Sequence, residues 1–281
     1  MAESADHPAH LSHLSETELT AFNDLISALP QLLEEADYRE LYGHDLTERS
    51  TTTDVLALKF LVANKYDVPE ARKQLLETLT WRKSFQPLKA ASEETHDSKF
   101  NGLGYITEGT DGGEVITWNL YGQIDGNHDV VFGDVDEFLR WRVALMEKGL
   151  KLLDFSSQRT KISQVHDYLN VSFFRMDPHA KKASRATIAL FQKHYPELLG
   201  KKYFVNVPYL MSWMFTAMKL FVSRETMEKF VVLSHGTYLA EYAGAWVPEV
   251  YGGKGPSLAE QDLSSSIAQA GVNAPEPVKE S

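Results

Sequence analysis

The chain has 281 residues, of which 43% are hydrophobic and 24% charged, with a formal net charge of -11 and no cysteine. Such a length implies one large domain or two smaller ones with ample core. The acidic balance argues against a nucleic-acid partner, which needs a basic footprint, and the lack of cysteine excludes disulfides, thiolate metal sites, iron–sulfur clusters and a cysteine nucleophile.

In chain order, residues 1–14 are polar and read as a disordered N-terminus. The first 30 residues contain no apolar run, so no secretory signal is expected. Ser15 and Glu18 have the spacing of a capping box. Leu19, Phe22, Leu25, Ile26 and Leu29 follow at helical period, and Pro30 is expected to end or restart that helix. A short second segment through Leu41 and Tyr42 stops at Gly43. Thr53-Asp54 opens another helix carrying Val55, Leu58, Phe60 and Leu61. After a turn at Asn64–Asp67, Pro69 suits the start of a helix running to Phe85. Residues 15–98 therefore read as a helical lobe, with the polar stretch Ala90–Asn101 as linker.

From residue 99 the pattern becomes mixed. Gly104–Thr107 and Glu114–Tyr121 form a hairpin across the turn Gly109–Gly113. Val135–Phe155 reads as one long amphipathic helix. Ser163–Met176 reads as a strand, Ala183–Tyr195 as a helix, Tyr203–Val207 and Lys229–Leu233 as strands, and Gly236–Tyr242 as a short helix. Val250–Gly253 closes the domain, which spans 99–255, and 256–281 reads as a flexible tail. Strands alternating with helices imply α/β architecture with a mostly parallel sheet. No apolar run reaches the roughly 18 residues of a spanning helix, so a soluble or peripheral protein is expected.

The strand beginning at Ser163 carries the most suggestive chemistry. Residues two apart share a strand face. Gln164, His166 and Tyr168 thus line one side, and Val165, Asp167 and Leu169 the other, which reads mostly as plain core. An imidazole and a phenol on one face, about 7 Å apart at the Cα level, can reach one ligand. No Gly-x-Ser-x-Gly, Walker loop or dinucleotide fingerprint appears, and no acidic pair or His cluster has a readable catalytic or metal spacing.

Three stretches carry a resemblance: Leu58–Val68 with Trp81-Arg82-Lys83, Tyr195–Pro208 (YPELLGKKYFVNVP), and the closing Val250-Tyr-Gly-Gly253. Together, in this order, they resemble the CRAL-TRIO (Sec-fourteen-like) lipid-transfer family over about residues 50–254. The resemblance implies an α/β lipid-binding domain whose mostly parallel sheet floors a hydrophobic cavity, an N-terminal helical lobe, and a mobile gate helix at Tyr209–Val222. It implies phosphatidylinositol as ligand, with Glu197, Thr226 and Lys229 at the headgroup. On its own Lys229 reads as a solvated surface lysine. Lys65 also matches a basic family position, with Asn64 where the family has Arg. The choline-lipid hydroxyl pair falls at Ser172 and Phe174, and losing one hydroxyl there implies little phosphatidylcholine binding.

The text around the strand (Val115–Gln123, Leu145–Gly149, Leu153–Phe155 and Gln164–Tyr168) resembles a fungal branch of this family associated with haem as well as phosphatidylinositol. That resemblance implies haem b as cofactor, Tyr168 as the iron ligand, and His166 as second ligand or close partner. It places Tyr121, Arg142 and Lys202 against the macrocycle or its propionates. Tyrosinate and imidazole are both known haem ligands, and Arg and Lys suit carboxylates. The expected activity is phosphatidylinositol transfer between membranes by a non-enzymatic protein. Its expected place is the cytoplasm, peripheral on the endoplasmic reticulum or other internal (microsomal) membranes. A haem-dependent redox enzyme or oxidant sensor without lipid transfer is the alternative.

Overall fold

In a computed structural model of the chain, residues 11–124, 126–171, 177–208 and 224–267 are described. The contacts divide it into two units: Met1–Gln86 with Asp154–Thr160 and Leu190–Leu198, and Pro87–Leu153 with Lys161–Ala189 and Leu199–Ser281.

In the first unit, the Ser15 side chain accepts from the Glu18 N–H and the Glu18 carboxylate accepts from the Ser15 N–H, so α1 (Glu16–Ala36) starts at the expected capping box. Pro30 does not end it: α1 continues to Ala36 because Leu25, Leu29, Leu32 and Ala36 form one unbroken buried stripe, whose burial outweighs the missing amide. Glu40–Leu41 (β1) and His44–Asp45 (β2) form a small antiparallel hairpin, turned by Tyr42 and Gly43 at positive φ. Then come α2 (Thr51–Ala63), capped by Ser50, and α3 (Val68–Phe85), capped by Asp67 with Pro69 in its first turn.

The Trp81-Arg82-Lys83 signature has a structural task here. Arg82 is fully buried, forms a two-pronged pair with Glu40 (2.7 and 3.2 Å), and lies over the Tyr42 ring. Trp81 stacks on His194, with centroids 4.3 Å apart and planes within 9°. Thr78 Oγ1 lies 3.2 Å from His194 Nδ1. Burial, reinforced by Lys193, pushes the His194 ring from its ordinary 6.5 down to about 4. A histidine depressed in the fold stabilises it above the unfolded pKa, and that contribution is lost as the solution is acidified. Resistance to urea is therefore expected to fall from pH 6.5 toward pH 4.5. His194→Phe, which keeps the stack but cannot titrate, should flatten that slope; an unchanged slope counts against this assignment.

The second unit begins earlier than the expected linker suggests. Pro87–Ser92 is a helix (α4), and its buried Ala90 and Ala91 pack on Ala144. Glu94 pairs with Arg140. The small alanines permit this close helix contact, so the polar stretch is partly wall rather than tether. The sheet has the order β3-β4-β5-β6-β7: Gly104–Glu108, Val115–Leu120, Ile162–Asp167, Leu199–Val205 and Phe230–Val232. Strands β3 and β4 form the expected antiparallel hairpin, and the remaining pairs are parallel. Parallel neighbours require long crossovers. Between β4 and β5 the chain forms a short helix α5 (His128–Phe132) and α6 (Val135–Leu150); between β5 and β6 it forms α7 (Pro178–His194). Helix α6 ends at Leu150, short of the expected Phe155. Gly149 stands where any Cβ would collide with Ile162 Cδ1, so glycine sets the close approach of α6 to the sheet.

One face of this sheet, with Ile116, Trp118, Val165, Tyr203 and Val205, packs on Leu233, Leu239, Val247, Tyr251 and Leu258. Chain expected to be loose from Pro256 is folded through Ile267. Ser257 and Glu260 cap a short helix, Asp262 accepts the Ile106 N–H (2.9 Å), and the Leu263 N–H bonds the Ile106 carbonyl (2.9 Å). Part of the β3 edge is thereby satisfied within the chain. No helix among the described residues is long and apolar enough to cross a membrane.

Candidate functional site

The other face of the sheet carries polar and aromatic side chains. Cα register pairs Thr117 with Gln164 and Gln164 with Lys202, then Lys202 with Phe230; one step on, it pairs Asn119, His166, Phe204 and Val232. Because paired residues point the same way, these rows share one face.

Strand β5 is shorter than expected and stops at Asp167. The Asp167 carboxylate accepts from the Leu169 N–H (2.8 Å), the Asn206 side-chain amide (2.7 Å) and the Tyr251 hydroxyl (2.7 Å). It is a hydrogen-bonding hub, not the plain core its strand face suggested. Tyr168 follows directly, still tied to the sheet by its N–H to Val205 O (3.1 Å). Asn170, at φ 67°, turns the chain away.

Tyr121 leaves the end of β4 beside this point. A Cβ on Gly122 would overlap the Leu169 carbonyl, so glycine lets the two loops meet. The Tyr121 ring lies 5.3 Å from His166, edge to face, and 5.6 Å from Tyr168. Phe204 completes the cluster, 5.7 Å from His166 and 6.4 Å from Tyr168.

Two cations belong to the same face. Arg142 of α6 is 2% exposed, and its Nη1 donates to Asn119 Oδ1. Asn119 in turn donates to Val165 O (3.2 Å). The Lys202 ammonium lies over Phe204 (5.5 Å) and Phe230 (6.0 Å). Burial, and then the two neighbouring cations, hold the His166 imidazole well below its ordinary range. Burial, with Arg142 adding, lowers Lys202 to about 7. Burial pushes both phenols up, while Arg142 opposes that rise. His166 Nε2 is buried and has no hydrogen-bond partner among the described residues. A buried polar atom without a partner is costly and rare. The set offers an oxygen donor and a nitrogen donor to a metal, and two cations to carboxylates or phosphates.

The structure thus brings Tyr121, Arg142, His166, Tyr168 and Lys202 to one face of one unit. Asn119, Phe204 and Phe230 were missed. The available signal was strand parity, since Asn119 is a polar residue two before Tyr121 in a strand buried along its whole length. The headgroup residues are placed as follows. Thr226 and Lys229 lie together, the Lys229 N–H bonding Thr226 O (3.1 Å), and Lys229 O accepts the Lys202 N–H (2.9 Å). Glu197 belongs to the first unit, at φ 53°, where its carbonyl accepts from the buried Lys59 ammonium (3.0 Å). Ser172 and Phe174, and the gate Tyr209–Val222, lie outside the described residues. On the opposite face a solvent-open cleft of about 650 Å³ is lined by Tyr105, Leu120, Asp167, Asn206 and Tyr251 among others.

A mostly parallel sheet presenting ligand-type side chains on one face, with an N-terminal helical unit, defines a class of α/β ligand-binding protein. The CRAL/TRIO domain pattern matches residues 99–253, and the CRAL/TRIO N-terminal domain pattern matches 21–77; the chain belongs to the CRAL/TRIO family. It is 45% identical over 279 residues to phosphatidylinositol transfer protein sfh5 of Botryotinia fuckeliana, covering 92% of this chain and 62% of that relative. The chain therefore spans less than two thirds of that relative's length. It is 44% identical over 253 residues to phosphatidylinositol transfer protein SFH5 of Kluyveromyces lactis, covering 87% of this chain and 84% of that one. The crystal structure of Sfh5 superposes with a TM-score of 0.84 at 37% identity, covering 92% of this chain and 98% of that chain.

Proposed function

We propose that this chain binds phosphatidylinositol and carries it between membranes, and that the aromatic face of its sheet holds haem b. The lipid reading is supported by relatives named as phosphatidylinositol transfer proteins at 44–45% identity. In it Glu197, Thr226 and Lys229 hold the headgroup: Lys supplies a point charge for phosphate, and Glu and Thr hydrogen-bond inositol hydroxyls. The protein acts as a carrier rather than a catalyst. It works in the cytoplasm and peripherally on the endoplasmic reticulum or other internal membranes. Phosphatidylcholine is a poor ligand, because Phe174 stands where a second hydroxyl is needed beside Ser172.

The test is transfer of labelled phosphatidylinositol between vesicles, with labelled phosphatidylcholine as the second arm. Glu197→Ala with Lys229→Ala is expected to lower phosphatidylinositol transfer on the order of tenfold, as the loss of a charge-assisted contact and its neighbour implies. Undiminished transfer would show the headgroup assignment to be wrong, and equal transfer of phosphatidylcholine would overturn the selectivity.

The haem reading is carried by the buried, unpartnered His166 Nε2 beside two phenols and two cations. These residues fit the group. Tyr168 would serve as the oxygen ligand, His166 as nitrogen ligand or partner, and Tyr121 as an aromatic wall. Arg142 and Lys202 answer the propionates. When bound, haem supplies a ferric iron that phenolate favours and holds at low potential. To ligate, the Tyr168 phenol must release its proton; Arg142 is the positive charge that eases that release, and burial opposes it. Lipid and haem would share one cavity and so compete, and excess phosphatidylinositol vesicles are expected to slow haem uptake.

A further inference from the structure

Helix α7 (Pro178–His194) carries no Asp or Glu. Its stretch from Pro178 to Ala189 belongs to the second unit. At about 100° per residue, Lys181, Lys182 and Arg185 fall within roughly a third of the helix circumference. All three are exposed, whereas Ala183 on the other side is fully buried. None of the three forms an ion pair among the described residues, while Lys193 in the last turn pairs with Glu77 (3.0 Å). The two carboxylates at the helix start are already engaged. Asp177 accepts the Ala180 N–H (2.9 Å), and Asp129 lies 3.6 Å from His179. The bias extends along the sequence. Between Asp177 and Glu225 there are eight Lys and Arg and one acid, Glu197, in a chain whose net charge is -11.

Charge so segregated marks a surface for an anionic counterpart. We propose that this face of α7 docks on bilayers that carry anionic phospholipid. The acidity of the whole chain does not prevent it. At physiological salt the Debye length is about 8 Å, so exposed acids farther than that from the patch are largely screened, while cations held at the bilayer surface are not. Each such Lys or Arg strengthens binding about fivefold. A bilayer is a better counterpart than an acidic protein. The exposed positions of α7 include no aromatic or large aliphatic side chain. A protein interface needs such an anchor at its centre, and attraction to a charged lipid surface does not. The inference takes its purpose from the carrier reading, which requires visits to membranes, and adds the side by which they are made.

The test is co-sedimentation of the full chain with vesicles of phosphatidylcholine alone or mixed with phosphatidylserine. The wild type is expected to bind only the mixed vesicles and to release them as salt rises from about 0.1 M to about 0.5 M. Lys181→Gln with Lys182→Gln and Arg185→Gln should bind them at least tenfold more weakly. Lys73→Gln with Lys151→Gln and Lys254→Gln changes the net charge equally at exposed lysines elsewhere and should bind as the wild type does. Transfer of trace labelled phosphatidylinositol between phosphatidylcholine vesicles should be equal for all three proteins, which separates this face from the cargo site. No transfer by any of them, with the binding pattern intact, would overturn the carrier reading alone. A wild type that ignores phosphatidylserine vesicles, equal weakening by the two triple variants, or undiminished binding by the α7 variant would each overturn the docking face.

Discussion

Tyr168→Phe is expected to abolish the Soret band of the haem-reconstituted protein and to weaken haem binding by on the order of 100-fold or more, since even partners outside the ligand shell are worth about 10–100-fold in metal affinity. The substitution removes one oxygen and keeps the ring against Tyr121 and Phe204, so the packing of the face is retained. His166→Ala should cost less, about 10–100-fold, if the imidazole is the partner rather than the main ligand. The order of the two losses assigns the roles. Absorption spectra of purified and haem-titrated protein provide the measurement. A Tyr168→Phe protein as strongly coloured as the wild type, or a wild type that stays colourless with added haem, would sink the reading.

The second large effect concerns the residue beside it. Asp167→Ala strands the Tyr251 hydroxyl, the Asn206 amide and the Leu169 N–H together. Hydrogen bonds to a charged acceptor are worth about 1.5–3 kcal/mol each, and the donors are not all lost to water, so a loss of about 4 kcal/mol is expected. Asp167→Asn can still accept through its carbonyl oxygen and donate toward Tyr251, so it should cost less than about 2 kcal/mol. Urea denaturation at pH 7 measures both. An alanine variant within about 1 kcal/mol of wild type would mean that the hub does not hold this corner. Asp167 also ends β5 and fixes where Tyr168 starts, so the alanine variant should weaken haem binding through position, although it touches the opposite face.

The parity of β5 was legible in the sequence. Period-two alternation separated His166 and Tyr168 from Val165 and Asp167, and the structure keeps that separation. The length of the strand was not legible. Valine, leucine and phenylalanine continue past Asp167, and β-propensity carried the reading to Met176; the side-chain acceptor that takes the Leu169 N–H competes with the ladder and ends the strand. Pro30 misled in the opposite sense. A local breaker signal yielded to a stripe of buried leucines that only packing makes decisive. The linker at Ala90–Asn101 looked polar because its exposed residues outnumber Ala90 and Ala91, which touch α6.

The candidate site shows the same division. Tyr121, Arg142 and Lys202 were named through a family resemblance, since nothing in their spacing joins residues on two strands and a helix. Asn119 and Phe230 escaped because their relevance depends on register, Asn119 opposite His166 and Phe230 opposite Lys202. By itself the sequence determined what is local. The Ser15–Glu18 capping box, helix stripes, the β3–β4 hairpin, the parallel α/β pattern and the face on which His166 stands are all set within a few residues of chain. Tertiary structure alone decided which side chains meet. It brought Tyr251, 84 residues away, onto Asp167. It left His166 Nε2 buried without a partner among the described residues and set Lys202 beside two phenyl rings and a second cation. The physical reason is that burial and charge coupling depend on what surrounds a group in space, and strand order and crossover connections fix those surroundings across the length of the chain.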